Sequence, residues 1–271
     1  MIAGLHLAAL VLYGVAAVLM GVSFARGGRR LPGVASGVLG GGLVVHTWAL
    51  ALFTGHWQEL PLVGLGPSLS TFAYLVGLGT LIASTIGQAL GVGLVLIPVV
   101  VLLVGAAAGV GMMPAGEPMA FQGIWFALHV FFAFIGYAGL TVAFAAGLMY
   151  LLQFRELKSK HFGAIFRFFP PLDTLDRLGR QGLLIGFPFL TLAMLAGWAW
   201  TVRFRPTPQV EGGKLVWVLV SWAVFVAALL ARTGRGRRGE RGALVSVIGF
   251  VLVVAFYLVV RVQTSHGGSF L

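Results

Sequence analysis

The sequence contains no cysteine, and charged residues make up only 9% of its 271 positions. Without cysteine, a disulfide framework, a thiolate metal site and a cysteine nucleophile are all excluded. Because 59% of the residues are hydrophobic, the chain also lacks the polar surface that a water-soluble domain needs. The composition therefore indicates an integral membrane protein.

Acidic residues are scarce as well, and none falls inside a long apolar segment. The seven carboxylates lie in predicted loops or at the ends of predicted spans: Glu59, Glu117, Glu156, Asp173, Asp176, Glu211 and Glu240. Pumps and secondary transporters typically use an intramembrane carboxylate, so this sequence gives such a function little support. No paired-carboxylate site, HExxH, P-loop or GxSxG motif indicates a hydrolase or a nucleotide-dependent enzyme.

Apolar segments of roughly 20 residues recur along the chain, about the length that crosses ~30 Å of hydrocarbon as an α-helix. Backbone polar groups find no water there, so helices are the expected structure. The pattern predicts an all-α polytopic membrane bundle of about eight transmembrane helices, forming a single transmembrane domain over residues 1–271. The predicted spans are 2–25, 34–54, 68–88, 91–111, 120–153, 181–202, 214–231 and 243–262. Four-residue glycine spacing at Gly33, Gly37 and Gly41 predicts a close helix contact.

The basic residues are distributed unevenly between the two sides of the predicted bundle. Three follow the first span, six the fifth and five the seventh, which makes 14 of the 18 lysines and arginines on one side. The positive-inside rule makes that side cytoplasmic and places both termini outside. We therefore expect a multi-pass protein of the bacterial inner (plasma) membrane, with a cytoplasmic loop at 154–180 that includes a short amphipathic helix. Attraction to anionic lipid explains the basic loops, and no nucleic-acid motif accompanies them.

The histidines are the main chemical signal. Five of the six gather toward the predicted outer face: His6, His46, His56, His129 and His266. Neutral imidazole is a good axial ligand for haem iron, and an apolar bundle suits a flat apolar macrocycle. For His6 and His46 the structural alternative is a hydrogen-bonded histidine at a helix contact, and for His56 it is a solvated loop residue. Three arginines near the same face are candidates for pairing with haem propionates or lipid headgroups: Arg203, Arg205 and Arg261.

Four stretches of the chain resemble one known family. They are HVFFAFIGYAGLTVAFAAGLMYLLQFRELK, which begins at His129, PPLDTLDRLGRQGLLIGFPFLTLAMLAGWAW, FTGHWQELPLVGLGPSLSTFAYLVG, and the C-terminal SHGGSF. Together, and in this arrangement along most of the chain, they are similar to the cytochrome c assembly (CcsA/HemX-like) superfamily. The resemblance implies a b-type haem bound at the outer face, with His129 and His266 as axial ligands of its iron.

The chain also departs from the CcsA branch at two places. The segment RFRPTPQVEGGKLVWV, between spans six and seven, lacks the tryptophan-rich WGxxWxWDPKE motif of that branch. Near the cytoplasmic end of the next span, Ala231 stands where a histidine is expected, so the second, intramembrane haem site of that branch loses a ligand. Both departures bring the chain closer to the smaller HemX-like branch.

The resemblance implies a membrane protein that binds or delivers haem in c-type cytochrome biogenesis. The absence of the tryptophan-rich motif speaks against a complete haem-to-apocytochrome ligase. Its implied partners are haem, apocytochrome c and a second membrane protein of cytochrome c biogenesis. The alternative is a HemX-like regulatory or scaffold protein that acts on a haem-biosynthesis enzyme.

The charge asymmetry gives a direct test of topology. A periplasmic reporter enzyme fused after Leu271 is expected to be active, because an even number of spans and the basic loops place the C-terminus outside. A cytoplasmic reporter at the same junction should be inactive. The reverse pattern of activities would overturn the predicted orientation.

Overall fold

The protein is a bundle of long helices. The computed structural model describes residues 1–26, 30–62, 64–87, 89–114, 124–160, 163–204, 212–232 and 238–265. Its helices are α1 (Ile2–Arg26), α2 (Leu31–Trp57), α3 (Leu65–Thr85), α4 (Gly93–Val110), α5 (Ile124–Ser159), α6 (Ala164–Phe168), α7 (Leu172–Phe204), α8 (Gly212–Ala231) and α9 (Arg238–Ser265). A 3₁₀ turn at Leu90–Val92 leads into α4. Within these ranges there is no strand.

The predicted all-α membrane bundle is confirmed. Seven of the helices in the described ranges are long and apolar enough to cross a bilayer. The apolar part of α8, Leu215–Ala231, has 17 residues and is the short eighth candidate. At a rise of ~1.5 Å per residue it reaches about 26 Å, slightly less than the hydrocarbon thickness of ~30 Å.

The predicted loop at 154–180 is largely helical. It contains the end of α5, the five-residue helix α6 and the first turns of α7. α7 runs without interruption from Leu172 into the predicted sixth span. Asp173 lies in its first turn and pairs with Arg177 one turn later, with 2.5 Å between the carboxylate and the guanidinium. Because Asp173 lies in the first turn, its carboxylate is near the positive end of the helix dipole.

Successive long helices run in opposite directions, which gives the bundle two distinct ends. One end, called the histidine face below, holds the start of α1, the end of α2, the start of α5 and the end of α7. The other end, called the basic face, holds the end of α1, the start of α4 and α6, where the rings of Phe24 and Phe168 meet edge to face at 5.4 Å. Which face lies outside the cell remains a prediction.

The interior is divided between two groups of buried apolar side chains. The first joins α1 to α4 with the basic-face ends of α5 and α7, and includes Tyr13, Met20 and Leu96. The second joins α5, α7, α8 and α9 around Phe225 and Leu183. α5 and α7 contribute to both groups and so connect the two halves of the bundle.

The contact between α5 and α7 depends on glycine. A Cβ placed on Gly139 would lie 2.5 Å from the carbonyl oxygen of Gly182, and one on Gly182 would lie 2.6 Å from the carbonyl oxygen of Gly139. A Cβ on Gly186 would lie 2.8 Å from the carbonyl oxygen of Gly136. Such distances mean that the two backbones touch, which is how small residues hold helices together where lipid provides no hydrophobic drive.

The glycine contact predicted on α2 is wrong. A Cβ added to Gly33, Gly37 or Gly41 would meet nothing within 4 Å. Four-residue spacing places these glycines on one face of the helix, but it does not determine which face meets a neighbour. The tight contact lies instead between α5 and α7.

Enlarging Gly139 is expected to separate α5 from α7. The Gly139→Leu variant should lose about 1–3 kcal/mol of stability or more, because the new side chain collides with backbone rather than with a flexible side chain. Thermal unfolding in detergent, followed by size-exclusion chromatography, measures the loss. Gly37→Leu is the matched control and should unfold close to the wild-type temperature. Equal behaviour of the two variants would contradict the assigned contact.

Candidate functional site

The structure describes four of the six histidines, and all four lie toward the histidine face. They are His6, His46, His56 and His129. His161 and His266 lie outside the described residues, as does Arg205. Arg203 is exposed near the end of α7, and Arg261 lies in the last part of α9. Among the described residues, no three histidine or acidic side chains form a metal cluster.

His129 is held by a backbone carbonyl of the neighbouring helix. It is the sixth residue of α5, about 8 Å from the start of the helix at ~1.5 Å per residue. Its Nδ1–H donates a hydrogen bond of 2.7 Å to the carbonyl oxygen of Ala193 on α7. A carbonyl only accepts, so this bond fixes the tautomer with the proton on Nδ1. The Nε2 lone pair is then available, and no described residue forms a hydrogen bond with Nε2.

Glycine also allows His129 to lie against α7. A Cβ added to Gly197 would lie 2.6 Å from Nδ1 of His129 and 2.9 Å from its Cε1. The imidazole therefore packs directly on the backbone one turn beyond Ala193. The rings of Phe126 on α5 and Trp200 on α7 pack near this end of the helix pair, with 5.4 Å between their centroids. The ring is half-buried, and the bond to Ala193 orients it.

His6 and His46 belong to a buried hydrogen-bonded chain. The Ser70 hydroxyl on α3 lies 2.9 Å from Nε2 of His6 on α1 and 2.8 Å from Nε2 of His46 on α2. Nδ1 of His6 lies 3.0 Å from the carbonyl oxygen of Ile2, and Nδ1 of His46 lies 3.1 Å from the Tyr13 hydroxyl. All four side chains are buried. The chain joins three helices.

The carbonyl at one end of this chain determines the direction of every bond when both imidazoles are neutral. His6 must donate Nδ1–H to Ile2, so its Nε2 accepts from Ser70. The Ser70 oxygen then accepts Nε2–H of His46, and Tyr13 donates its hydroxyl proton to Nδ1 of His46. Every ring nitrogen is therefore occupied. Withdrawing either imidazole to bind a metal would leave buried partners unpaired, at about 1–3 kcal/mol each.

Sequence reasoning did not identify two members of this chain. Tyr13 follows His6 by seven residues on α1, a spacing that places both on one side of a helix. That spacing was an available signal. Ser70 gave none, because a single serine within an apolar span is common and its partners lie on other helices.

A second group of polar contacts, around Arg232, lies at the basic face. The Arg232 guanidinium, only 5% exposed, lies 2.5 Å from the Asp176 carboxylate, and Nη2 is 3.5 Å from the Ser246 hydroxyl. Burial lowers the pKa of Arg232, and Asp176 opposes that shift. Room for the side chain comes from Gly179 and Gly242, where an added Cβ would lie 2.7 and 2.5 Å from it. Arg232 directly follows the last residue of α8, Ala231, so the ion pair with Asp176 joins the end of α8 to the start of α7.

Comparison with known proteins gives one consistent result. The family model described as "Cytochrome C assembly protein" matches residues 4–266. Cytochrome c biogenesis protein CcsA of Guillardia theta is 31% identical over 154 residues, 51% of each chain. CcsA of Chlamydomonas reinhardtii is 30% identical over 139 residues, 51% of this chain and 38% of that protein.

The match to CcsA of Microcystis aeruginosa is longer, with 27% identity over 279 residues and 84% of each chain. The chain spans about half the length, or less, of the first two curated relatives that it matches. The family model nevertheless covers nearly the whole bundle, from the first turn of α1 to the residue after α9. On that match, the chain belongs to the cytochrome c assembly protein family.

Proposed function

We propose that this membrane protein binds or delivers haem in the maturation of c-type cytochromes, and that His129 is an axial ligand on the histidine face. Family membership supports a role in cytochrome c maturation, since the relatives are named for cytochrome c biogenesis. The geometry around His129 supports its assignment as an axial ligand. The proposal places the protein in a bacterial plasma membrane, with the histidine face outside.

The single observation that carries this proposal is the hydrogen bond from His129 to Ala193. Metal-binding histidines usually donate their second ring N–H to a carbonyl or carboxylate, which fixes the tautomer and orients the ring. Bound haem supplies an iron centre whose axial positions accept an imidazole nitrogen. His129 meets both requirements, because Nδ1–H is engaged and Nε2 is not bonded by any described residue. His6 and His46 have both nitrogens engaged within the bundle.

The remaining parts of the proposed site rest on the resemblance. His266 is the proposed second axial ligand, which would make the bound group a six-coordinate b-type haem. Arg203, Arg205 and Arg261 are the proposed partners of the propionates, since guanidinium binds carboxylate through two parallel hydrogen bonds. Apocytochrome c and a second membrane biogenesis protein are the proposed partners.

The missing tryptophan-rich motif between α7 and α8 favours a second function. A HemX-like scaffold or regulator of a haem-biosynthesis enzyme would use the membrane bundle, and it would not require His129 to bind haem. Visible spectra of the purified protein with and without added haem separate the two functions. A protein that binds no haem would support the scaffold.

Replacing the proposed ligands should change the bound haem. His129→Ala and His266→Ala are each expected to lower haem content or to convert low-spin haem to high-spin, because one axial position becomes empty. The Soret band and a pyridine haemochrome assay on purified protein measure both effects. His161→Ala, on the predicted cytoplasmic side, is the control and should match the wild type. Full haem content and an unchanged spectrum in both variants would show that His129 only packs.

Gly197 provides a subtler test, because it supports His129 without being a ligand. Gly197→Ala is expected to displace the imidazole, since the new methyl would lie within 3 Å of two ring atoms. The displacement should weaken haem binding or raise the high-spin fraction while leaving the bundle folded. Gly105→Ala on α4, where an added Cβ meets nothing within 4 Å, is the matched control. A wild-type spectrum for Gly197→Ala would contradict the proposed role of this contact.

A further inference from the structure

The basic face carries a surface that the proposed function does not use, and it is built around the short helix α6. The Glu156 carboxylate, near the end of α5, accepts backbone N–H bonds from Gly163 at 3.2 Å and from Phe166 at 2.8 Å. On the other side of α6, the Phe168 ring meets the Phe24 ring of α1 at 5.4 Å between centroids. The end of α1, the end of α5 and α6 are thereby brought together at one place.

Exposed basic side chains gather on these three elements. They are Arg26 on α1, Arg155 and Lys158 on α5, Lys160 directly after α5, and Arg167 on α6. Within the three helices Glu156 is the one acidic residue, and its carboxylate is engaged by the backbone at α6. In the described part of the chain, none of the five basic residues forms an ion pair. Their positive charge is therefore directed to the surroundings of the protein.

Two apolar side chains are exposed between these charges. Leu157 on α5 is 40% exposed and Phe166 on α6 is 38% exposed, whereas Ile165 and Phe168 pack against the buried core. The five basic residues together with Leu157 and Phe166 are called the α6 patch below. A surface that combines arginine and lysine with aromatic and aliphatic side chains is typical of the boundary between lipid headgroups and acyl chains.

The position of the patch along the bundle agrees with that boundary. Arg26 is the last residue of α1, so the patch lies where an apolar span ends. Elsewhere on the basic face, Arg177 and Arg232 are paired with Asp173 and Asp176. General attraction to anionic lipid acts on every basic loop, but here α6 brings basic residues from separate parts of the chain to one place.

We propose that the α6 patch is a binding site for the phosphate headgroup of an anionic phospholipid in the leaflet at the basic face. Arg155 and Arg167 are its main contacts. They are the chain neighbours of Glu156 and Phe166, whose hydrogen bond holds the two backbones together. Each guanidinium can bind phosphate through two parallel hydrogen bonds, and the exposed Phe166 suits the upper part of the acyl chains. An acidic soluble protein fits less well, because it would have to reach apolar side chains at the depth of the headgroups.

The experiment titrates full-length protein in neutral detergent with phosphatidylglycerol or with phosphatidylcholine of the same acyl chains. Native mass spectrometry counts the bound lipid, and thermal unfolding measures stabilisation. The wild type is expected to prefer phosphatidylglycerol. Arg155→Gln with Arg167→Gln should weaken that binding about 10–30-fold, since each basic residue near the surface contributes roughly fivefold. Arg155→Lys with Arg167→Lys should retain most of the binding, which separates loss of charge from loss of folding.

Two further variants distinguish a site from the overall charge of the face. Arg177→Gln with Arg241→Gln, on α7 and α9, makes the same change in net charge and is the matched control, expected to bind like the wild type. Glu156→Leu makes the protein more positive but removes the acceptor that holds α6, so it should weaken binding.

Several results would overturn the inference. An equal loss in the two double glutamine variants, or tighter binding by Glu156→Leu, would mean that only the total charge matters. Equal binding of the two lipids, or the same stabilisation by inorganic phosphate alone, would exclude a lipid headgroup site. Stabilisation by a polyglutamate peptide and not by phosphatidylglycerol would assign the patch to an acidic protein. None of these measurements involves haem, so their outcome is independent of the proposed function.

Discussion

In a helical bundle surrounded by lipid, each buried imidazole nitrogen needs a partner from a neighbouring helix, because no water is present to replace one. This requirement separates the histidines into two kinds. His6 and His46 use every ring nitrogen to join α1, α2 and α3 through Ser70 and Tyr13. His129 uses one nitrogen on α7 and keeps the other unbonded by any described residue. The same imidazole chemistry thus joins three helices in one half of the bundle and leaves one ring nitrogen without a hydrogen bond to a described residue in the other.

The position of His129 follows from the helix pair that carries it. Gly136 on α5 lies against Gly186 on α7. His129 lies seven residues before Gly136, and Ala193 lies seven residues after Gly186, so the antiparallel register that joins the glycines also joins the imidazole to its carbonyl. The close contact near the middle of the bundle therefore determines the distance at its end. Because the register is set by backbone contact, a side chain added at the glycines would move the His129 imidazole as well as the helices.

Hydropathy and length predicted the helices, because crossing a bilayer constrains both quantities directly. The same sequence gave no means of choosing between glycines, and Gly37 and Gly139 look alike until their neighbours are known. His6, His46 and His129 were similarly equivalent as apolar-span histidines. They differ in their partners: His6 and His46 bond a serine on α3, and His129 bonds a carbonyl on α7. These partners lie on other helices, so no spacing along the sequence indicates the bonds. The sequence pattern places Arg232 among the loop charges, yet its side chain is buried between glycines of α7 and α9.

The two ends of the bundle differ in the polar groups that they hold. Among the described residues, the acidic side chains lie at helix ends or just beyond them, and the ion pair of Arg232 with Asp176 joins α8 to α7 at the basic face. No carboxylate in the described part of the chain lies midway along a span, so nothing there provides a charged step between the faces. The histidine face instead holds the four described histidines, and among them His129 on α5 keeps one ring nitrogen to which no described residue forms a hydrogen bond. The described part of the bundle therefore places neutral imidazoles toward one face and an interhelical ion pair at the other, so that polar contacts between helices stabilise both ends of an otherwise apolar interior.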